Sequence, residues 1–135
     1  MRSEKLYPID VTFLDARQNA MSGENLGWRL ETIVYIELLR RNRQIGNDIY
    51  YYRNDSGVEA DFIVCKGNMV IEVYQVCYDL SSEKTMSREI RGLLTAAKET
   101  KCTNLYILTD TWRDTVNKNG LEIKVIPTYD WLLNR

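Results

Sequence analysis

Apolar positions along the chain change period several times, and each change marks an expected element. From about Glu24 to Arg43 they fall at helical spacing. Leu26, Leu30, Ile33 and Val34 form a stripe that Tyr35, Ile36, Leu38 and Leu39 widen. Arg40, Arg41 and Arg43 close this helix and Gly46 ends it. Ile49 to Arg53, through Tyr50, Tyr51 and Tyr52, reads as a strand by its aromatic content. Asn54-Asp55-Ser56-Gly57 turns into a second strand, Val58 to Cys65, and Gly67-Asn68 into a third, Met69 to Tyr78. Ser81 or Ser82 caps a second helix, Ser82 to Thr100, with Met86, Ile90, Leu93, Leu94 and Ala97 on one face. Leu105 to Thr109 is a short buried strand, Asn117 to Gly120 a turn, and Leu121 to Ile126 another strand. Pro127 stops that strand, and Thr128 to Leu133 forms a last short helix. Ahead of these, Leu6 to Phe13 is extended and interrupted by Pro8. Leu14 to Ala20 allows one or two helical turns, and Ser22-Gly23-Glu24-Asn25 is a break and helix cap.

The order is helix, three-stranded antiparallel meander, helix, strand, strand, helix. A first helix apolar on most sides belongs between layers. The predicted fold class is therefore α/β: a mixed central sheet containing the meander, flanked by helices on both faces. A chain of 135 residues builds one domain, 1–135, with residues 1–22 as an extended lead-in.

Composition narrows the chemistry. Hydrophobic residues make up 44% and charged residues 27%, ordinary for a globular protein, and the net charge of −1 gives no bulk pull toward nucleic acid or an anionic membrane. Arg40-Arg41-Asn42-Arg43 is the densest basic cluster and reads as a solvated helix C-terminus. With no histidine, Ser-His-Asp and Cys-His catalysis within this chain is excluded. Cys65, Cys77 and Cys102 form no CxxC pair, which fits a reducing cytoplasm and argues against a disulfide framework or structural zinc. No apolar run reaches the ~18 residues of a membrane span, and no apolar stretch follows the N-terminus as in a signal peptide. No G-x-x-x-x-G-K-[ST] loop appears, so this chain is not expected to hydrolyse ATP by that route.

Acids within apolar strands are the unusual feature. A buried charge costs several kcal/mol unless paired or put to use. Alternation places Glu59, Asp61, Ile63 and Cys65 on one strand face. On the next strand Met69, Ile71, Val73, Gln75 and Cys77 share a face, with Glu72 on the other. Glu31 sits among Val34, Tyr35 and Leu38 on the first helix. Glu31, Asp61 and either Gln75 or Glu72 are the candidates to converge, and acids on adjacent strands are a common way to hold a divalent metal. The competing reading is that Glu31, Asp61 and Gln75 form a buried hydrogen-bonded network joining helix to sheet. Tyr50, Tyr51 and Tyr52 read as half-buried sheet, Trp28, Trp112 and Trp131 as core or rim packing, and Cys77 as an inert buried thiol.

The segments Gly27 to Arg41, Tyr50 to Arg53, Gly57 to Phe62, Gln75 to Thr85 with Arg88-Glu89-Ile90, and Ile126 to Leu133 together resemble a known domain. It is the C-terminal domain that follows the ATPase module in a group of bacterial and archaeal AAA-type ATPases, similar to the PD-(D/E)XK, restriction-endonuclease-like fold. The resemblance implies an upstream ATPase module outside this chain, which would bring any ATP. It also implies that Glu31 is the helix acid, Asp61 the metal-binding aspartate, and Mg²⁺ the cofactor of an active member. The E-x-K pair would fall on Gln75 and Cys77, and there the chain departs from the pattern. A glutamine supplies no carboxylate and a cysteine cannot replace a lysine. Glu72, re-aimed by a bulge, and Lys84, at the start of the second helix, are the residues that could stand in. The expectation is a degenerate nuclease-like module, serving nucleic-acid binding or contact with its ATPase. The alternatives are a live Mg²⁺-dependent nuclease using Glu31, Asp61, Glu72 and Lys84, and a pure protein-interaction module.

Overall fold

The computed structural model describes residues 5–9 and 26–134. The expected turns of helix at Leu14–Ala20 and the break at Ser22–Asn25 lie outside these residues. In chain order the elements are β1 (Leu6–Pro8), α1 (Leu26–Asn42), β2 (Asp48–Arg53), β3 (Glu59–Lys66), β4 (Met69–Val76), α2 (Glu83–Thr100), β5 (Leu105–Thr109), β6 (Asp114–Lys118), β7 (Leu121–Pro127) and α3 (Thr128–Leu133). The fold is α/β. One seven-stranded mixed sheet has the order β1-β2-β3-β4-β5-β7-β6. β1 to β4 pair antiparallel, β4, β5 and β7 run parallel, and β6 returns antiparallel to β7.

Local chemistry sets the boundaries. α2 starts at Ser82, whose side chain accepts from the Thr85 N–H, and ends at Lys101 in the left-handed region, whose N–H reaches the Ala97 carbonyl at 2.8 Å. The β6–β7 hairpin turns on Asn119 and Gly120, both with positive φ (52° and 78°), the signature of a tight hairpin turn whose twist matches the strands. β6 itself is the element that the hydrophobic pattern does not predict. Its five residues, Asp114 to Lys118, include one apolar side chain, Val116, because the strand lies on the sheet's exposed edge.

Strand alternation divides the core in two. Ile63, Val73, Leu105, Ile107, Ile123 and Val125 pack with Ile90, Leu93, Ala96 and Ala97 of α2. Phe62, Val64, Tyr74 and Leu108 pack with Val34 and Leu38 of α1 and Trp131 of α3. Helices thus cover both faces, as the order of elements predicts. No helix among the described residues is long and apolar enough to cross a membrane.

The basic end of α1 is more than a solvated terminus. Arg40 and Arg43 are exposed, but the Arg41 guanidinium lies 4.2 Å from the Trp131 ring centroid and donates to the Trp131 carbonyl at 2.6 Å. Glu37, nearly buried, accepts from both Arg40 (2.6 Å) and Arg41 (2.7 Å). Hydrogen bonding from Arg40, joined by Arg41 against the opposing pull of burial, lowers the Glu37 carboxyl from 4.5 to about 2. A carboxylate with a lowered folded pKa stabilises above its unfolded pKa and loses that contribution as the pH falls through the folded one. Denaturant titration of Glu37→Gln beside the parent chain therefore should show a deficit of about 1–3 kcal/mol above pH ~4.5, closing as the pH approaches 2.

Candidate functional site

β3 and β4 pair regularly only as far as Phe62 opposite Tyr74. Beyond that point the backbones part, and each exposed polar group must find another partner. Two side chains supply them. The Asp61 N–H donates to Gln75 Oε1 at 2.9 Å, and the Val76 N–H donates to Asp61 Oδ2 at 2.7 Å. Gln75 Nε2 donates to the Glu59 carbonyl at 2.9 Å and to the Glu89 carbonyl of α2 at 3.2 Å. On its other side β4 stays in the sheet, with Gln75 and Val76 opposite Ile107 and Leu108 of β5.

The parting opens a cleft of about 910 Å³ at the carboxyl end of β4. Asp61, Gln75 and Val76 lie at its base, Glu31 and the start of α1 form one wall, Gly57 and Val58 another, and Thr85, Arg88 and Glu89 of α2 a third. Three expected residues therefore share one place: Glu31, Asp61 and Gln75, each at least nine-tenths buried. α2 turns Thr85, Arg88 and Glu89 toward the cleft because they recur at helical spacing.

The other two candidates lie elsewhere, and this corrects their expected convergence. Lys84 is exposed in the first turn of α2 and does not line the cleft. One residue earlier than Thr85, it is rotated about 100° away. Glu72 pairs opposite Val64 and stands beside Tyr74, away from the cleft lining. Burial raises its carboxyl above the ordinary range, against the lowering effect of the Tyr74 hydrogen bond and of the Arg41 and Lys124 charges. A bulge does occur between the Val64–Glu72 and Cys65–Val70 pairs. It moves Ile71 to the α1 side of the sheet while Val70 and Val73 stay on the α2 side, so the expected common face of Ile71 and Val73 does not form. A second irregularity, between Tyr50–Ile63 and Tyr52–Ala60, likewise interrupts the alternation around Asp61.

Mg²⁺, which the resemblance implies, does not fit this donor set. Among the described residues no three of His, Cys, Asp and Glu come together as a metal site. One Asp61 oxygen already accepts a backbone N–H, and the Gln75 amide is engaged at both ends. Cys77, at the expected lysine position, lines the cleft half-buried. Burial, with help from the nearby Glu89 charge, pushes its thiol up to about 11, so it stays protonated at neutral pH.

Residues 26–131 match the family described as Domain of unknown function (DUF4143). The chain belongs to this family. It is also 31% identical to an uncharacterized protein of Methanocaldococcus jannaschii, MJ1544, over 96% of this chain. The chain spans 29% of that relative's length. No solved structure matches it.

The DUF4143 match includes every described residue that lines the cleft, and it includes one position that the search for acids passes over. Gly92 lies in the middle of α2, where a Cβ would collide with Gln75 Nε2 and the Glu59 carbonyl oxygen. Its absence lets the helix come close enough for Gln75 to bridge β3 and α2. The available signal was a glycine inside a strongly helical run, which usually marks close packing. Alanine is the better helix former by about 1 kcal/mol, yet Gly92→Ala should destabilise by about 1–3 kcal/mol in urea denaturation, because the clash outweighs propensity.

Proposed function

We propose that this DUF4143 domain is a restriction-endonuclease-like module whose catalytic centre has become a scaffold, and that it works beside an AAA-type ATPase module as a binding element for nucleic acid or for the ATPase itself. The observation that carries the reading is the Gln75 amide. At the position where the resemblance expects a metal-binding carboxylate, it accepts one backbone N–H and donates to two carbonyls. A carboxylate could replace only the accepting half of that arrangement. The further length of the M. jannaschii relative is consistent with a separate ATPase module. Arg88 and Arg91 line the cleft together with Glu31, Glu59, Asp61, Asp79 and Glu89, so its lining carries no net positive charge and favours contact with the ATPase over nucleic acid. Cys65, Cys77 and Cys102 form no disulfide, which suits a reducing cytoplasm.

Calorimetric titration with Mg²⁺ and Mn²⁺, together with cleavage assays on DNA and RNA, tests the reading. Metal binding should be no tighter than about 1 mM, and no metal-dependent cleavage should appear. Cleavage that needs the metal and disappears in a folded Asp61→Asn variant would reverse the conclusion. Restoring the carboxylate with Gln75→Glu should create no metal affinity. It should instead cost about 1–3 kcal/mol, since two carbonyls then face an acceptor.

A further inference from the structure

The sheet ends in two edges of unlike character. β1 is three residues long and carries Pro8, which has no N–H to offer a neighbour. β6, at the other end, has five residues and contains neither proline nor glycine. Asp114, Thr115, Asn117 and Lys118 are all exposed on it, and no other element among the described residues covers this edge; the Thr115 N–H donates to Asp114 Oδ1 at 2.7 Å, which leaves the second carboxylate oxygen for a partner.

Charges on an edge strand ordinarily discourage pairing. Here they have opposite signs and stand symmetrically, two residues either side of Val116. An antiparallel pairing of β6 with its own copy, about a twofold axis at Val116, has a definite register. Asp114 falls opposite Lys118 of the second copy, Thr115 opposite Asn117, and Val116 opposite Val116. Directly opposed residues in such a pair share a face and interact. Asp114, Val116 and Lys118 alternate onto one face of β6, the one on which Val116 packs against the core beneath α2. On that face a groove of about 600 Å³ runs between α2 and β6, walled by Met86, Ile90, Leu94 and Val116. The twofold would bring two such grooves together around the paired valines. A parallel pairing would instead set Asp114 beside Asp114 and Lys118 beside Lys118.

We propose that β6 is a self-association edge and that a second copy of this chain adds to it, extending the sheet across a twofold axis. The interface is isologous, with two Asp114–Lys118 pairs and an apolar centre. A five-residue strand with its groove covers less than a standard interface of about 800 Å² per partner, so the dimer is reversible and concentration-dependent. This surface is separate from the cleft, and the proposal does not depend on the function assigned there.

Sedimentation equilibrium of the 135-residue chain over a wide concentration range provides the test. The parent chain should dimerise reversibly. Asp114→Lys alone, or Lys118→Asp alone, should weaken association by about tenfold or more, because each turns two attractive pairs into two repulsive ones. The double exchange Asp114→Lys with Lys118→Asp should restore it. All three changes are on an exposed edge, and circular dichroism verifies that each variant is folded. A dimer that survives both single changes would have its interface elsewhere. A parent chain that stays monomeric up to millimolar concentration would leave this edge to a strand from another protein. Either result overturns the proposal.

Discussion

The arrangement of the cleft depends on the point where β3 and β4 stop pairing. Separating two strands in a protein interior leaves backbone groups that water cannot reach, each costing roughly 1–3 kcal/mol if unmet. Asp61 and Gln75 meet that demand by placing side-chain atoms where ladder partners would have been. A glutamine suits the position because it accepts and donates at once. With its two donor hydrogens it ties β4 to the Glu59 carbonyl of β3 and to the Glu89 carbonyl of α2. Gly92 allows α2 to approach closely enough for that second bond. The cleft is thus a consequence of strand separation, and the separation is tolerable because of one amide and one missing methyl group.

Much of this architecture was legible in the pattern of residues. β5 and α3 fall where periodicity places them, α1 ends one residue before its expected C-terminus, and α2, β3 and β7 differ from expectation by a residue at their ends. Period and capping are local properties, carried by the segment itself. Register is not. The faces expected for Ile71, Val73 and Asp61 assumed unbroken alternation, and bulges in β3 and β4 shift it. A bulge is fixed by what the neighbouring strand and the overlying helices require, so no reading of β4 alone could place it. β6 escaped for a different reason. A strand open to solvent has no need of an apolar face, and its hydrophobic signal reduces to Val116.

The same distinction explains which acids were misplaced. Glu31 was found through its apolar neighbours on a helix, a local signal, and it does reach the cleft. Glu72 also sits in an apolar strand, but it belongs to a different assembly on the α1 side. There Arg41 stacks on Trp131, Trp131 meets Tyr74 edge-on with centroids 5.6 Å apart, and Tyr74 stacks on Tyr106 at 4.8 Å. Lys124 lies 4.6 Å over the Tyr106 ring. Glu72 is placed within this row, hydrogen-bonded to Tyr74 and in the field of both cations. An acid in a strand is a signal of cost, and cost can be met by an aromatic-cation row as well as by a metal.

Under the proposed reading, a nuclease-like cleft has exchanged its chemistry for structure while keeping its shape. A metal centre needs several carboxylates free to turn toward the ion, and each such group strains the unoccupied protein by mutual repulsion. Replacing one carboxylate by an amide removes that repulsion. An amide that also holds backbone hydrogen bonds, as Gln75 does, makes the fold depend on that residue. A carboxylate at position 75 is opposed by stability, since it would face two carbonyl oxygens. The concavity survives because it comes from the parted strands, and its wall of Thr85, Arg88 and Glu89 survives because α2 must stay close to Gln75. A surface of fixed shape whose Asp61 and Gln75 side chains are already engaged by the backbone is better suited to recognition than to catalysis, and this is the physical basis for the proposal that the cleft is a binding element.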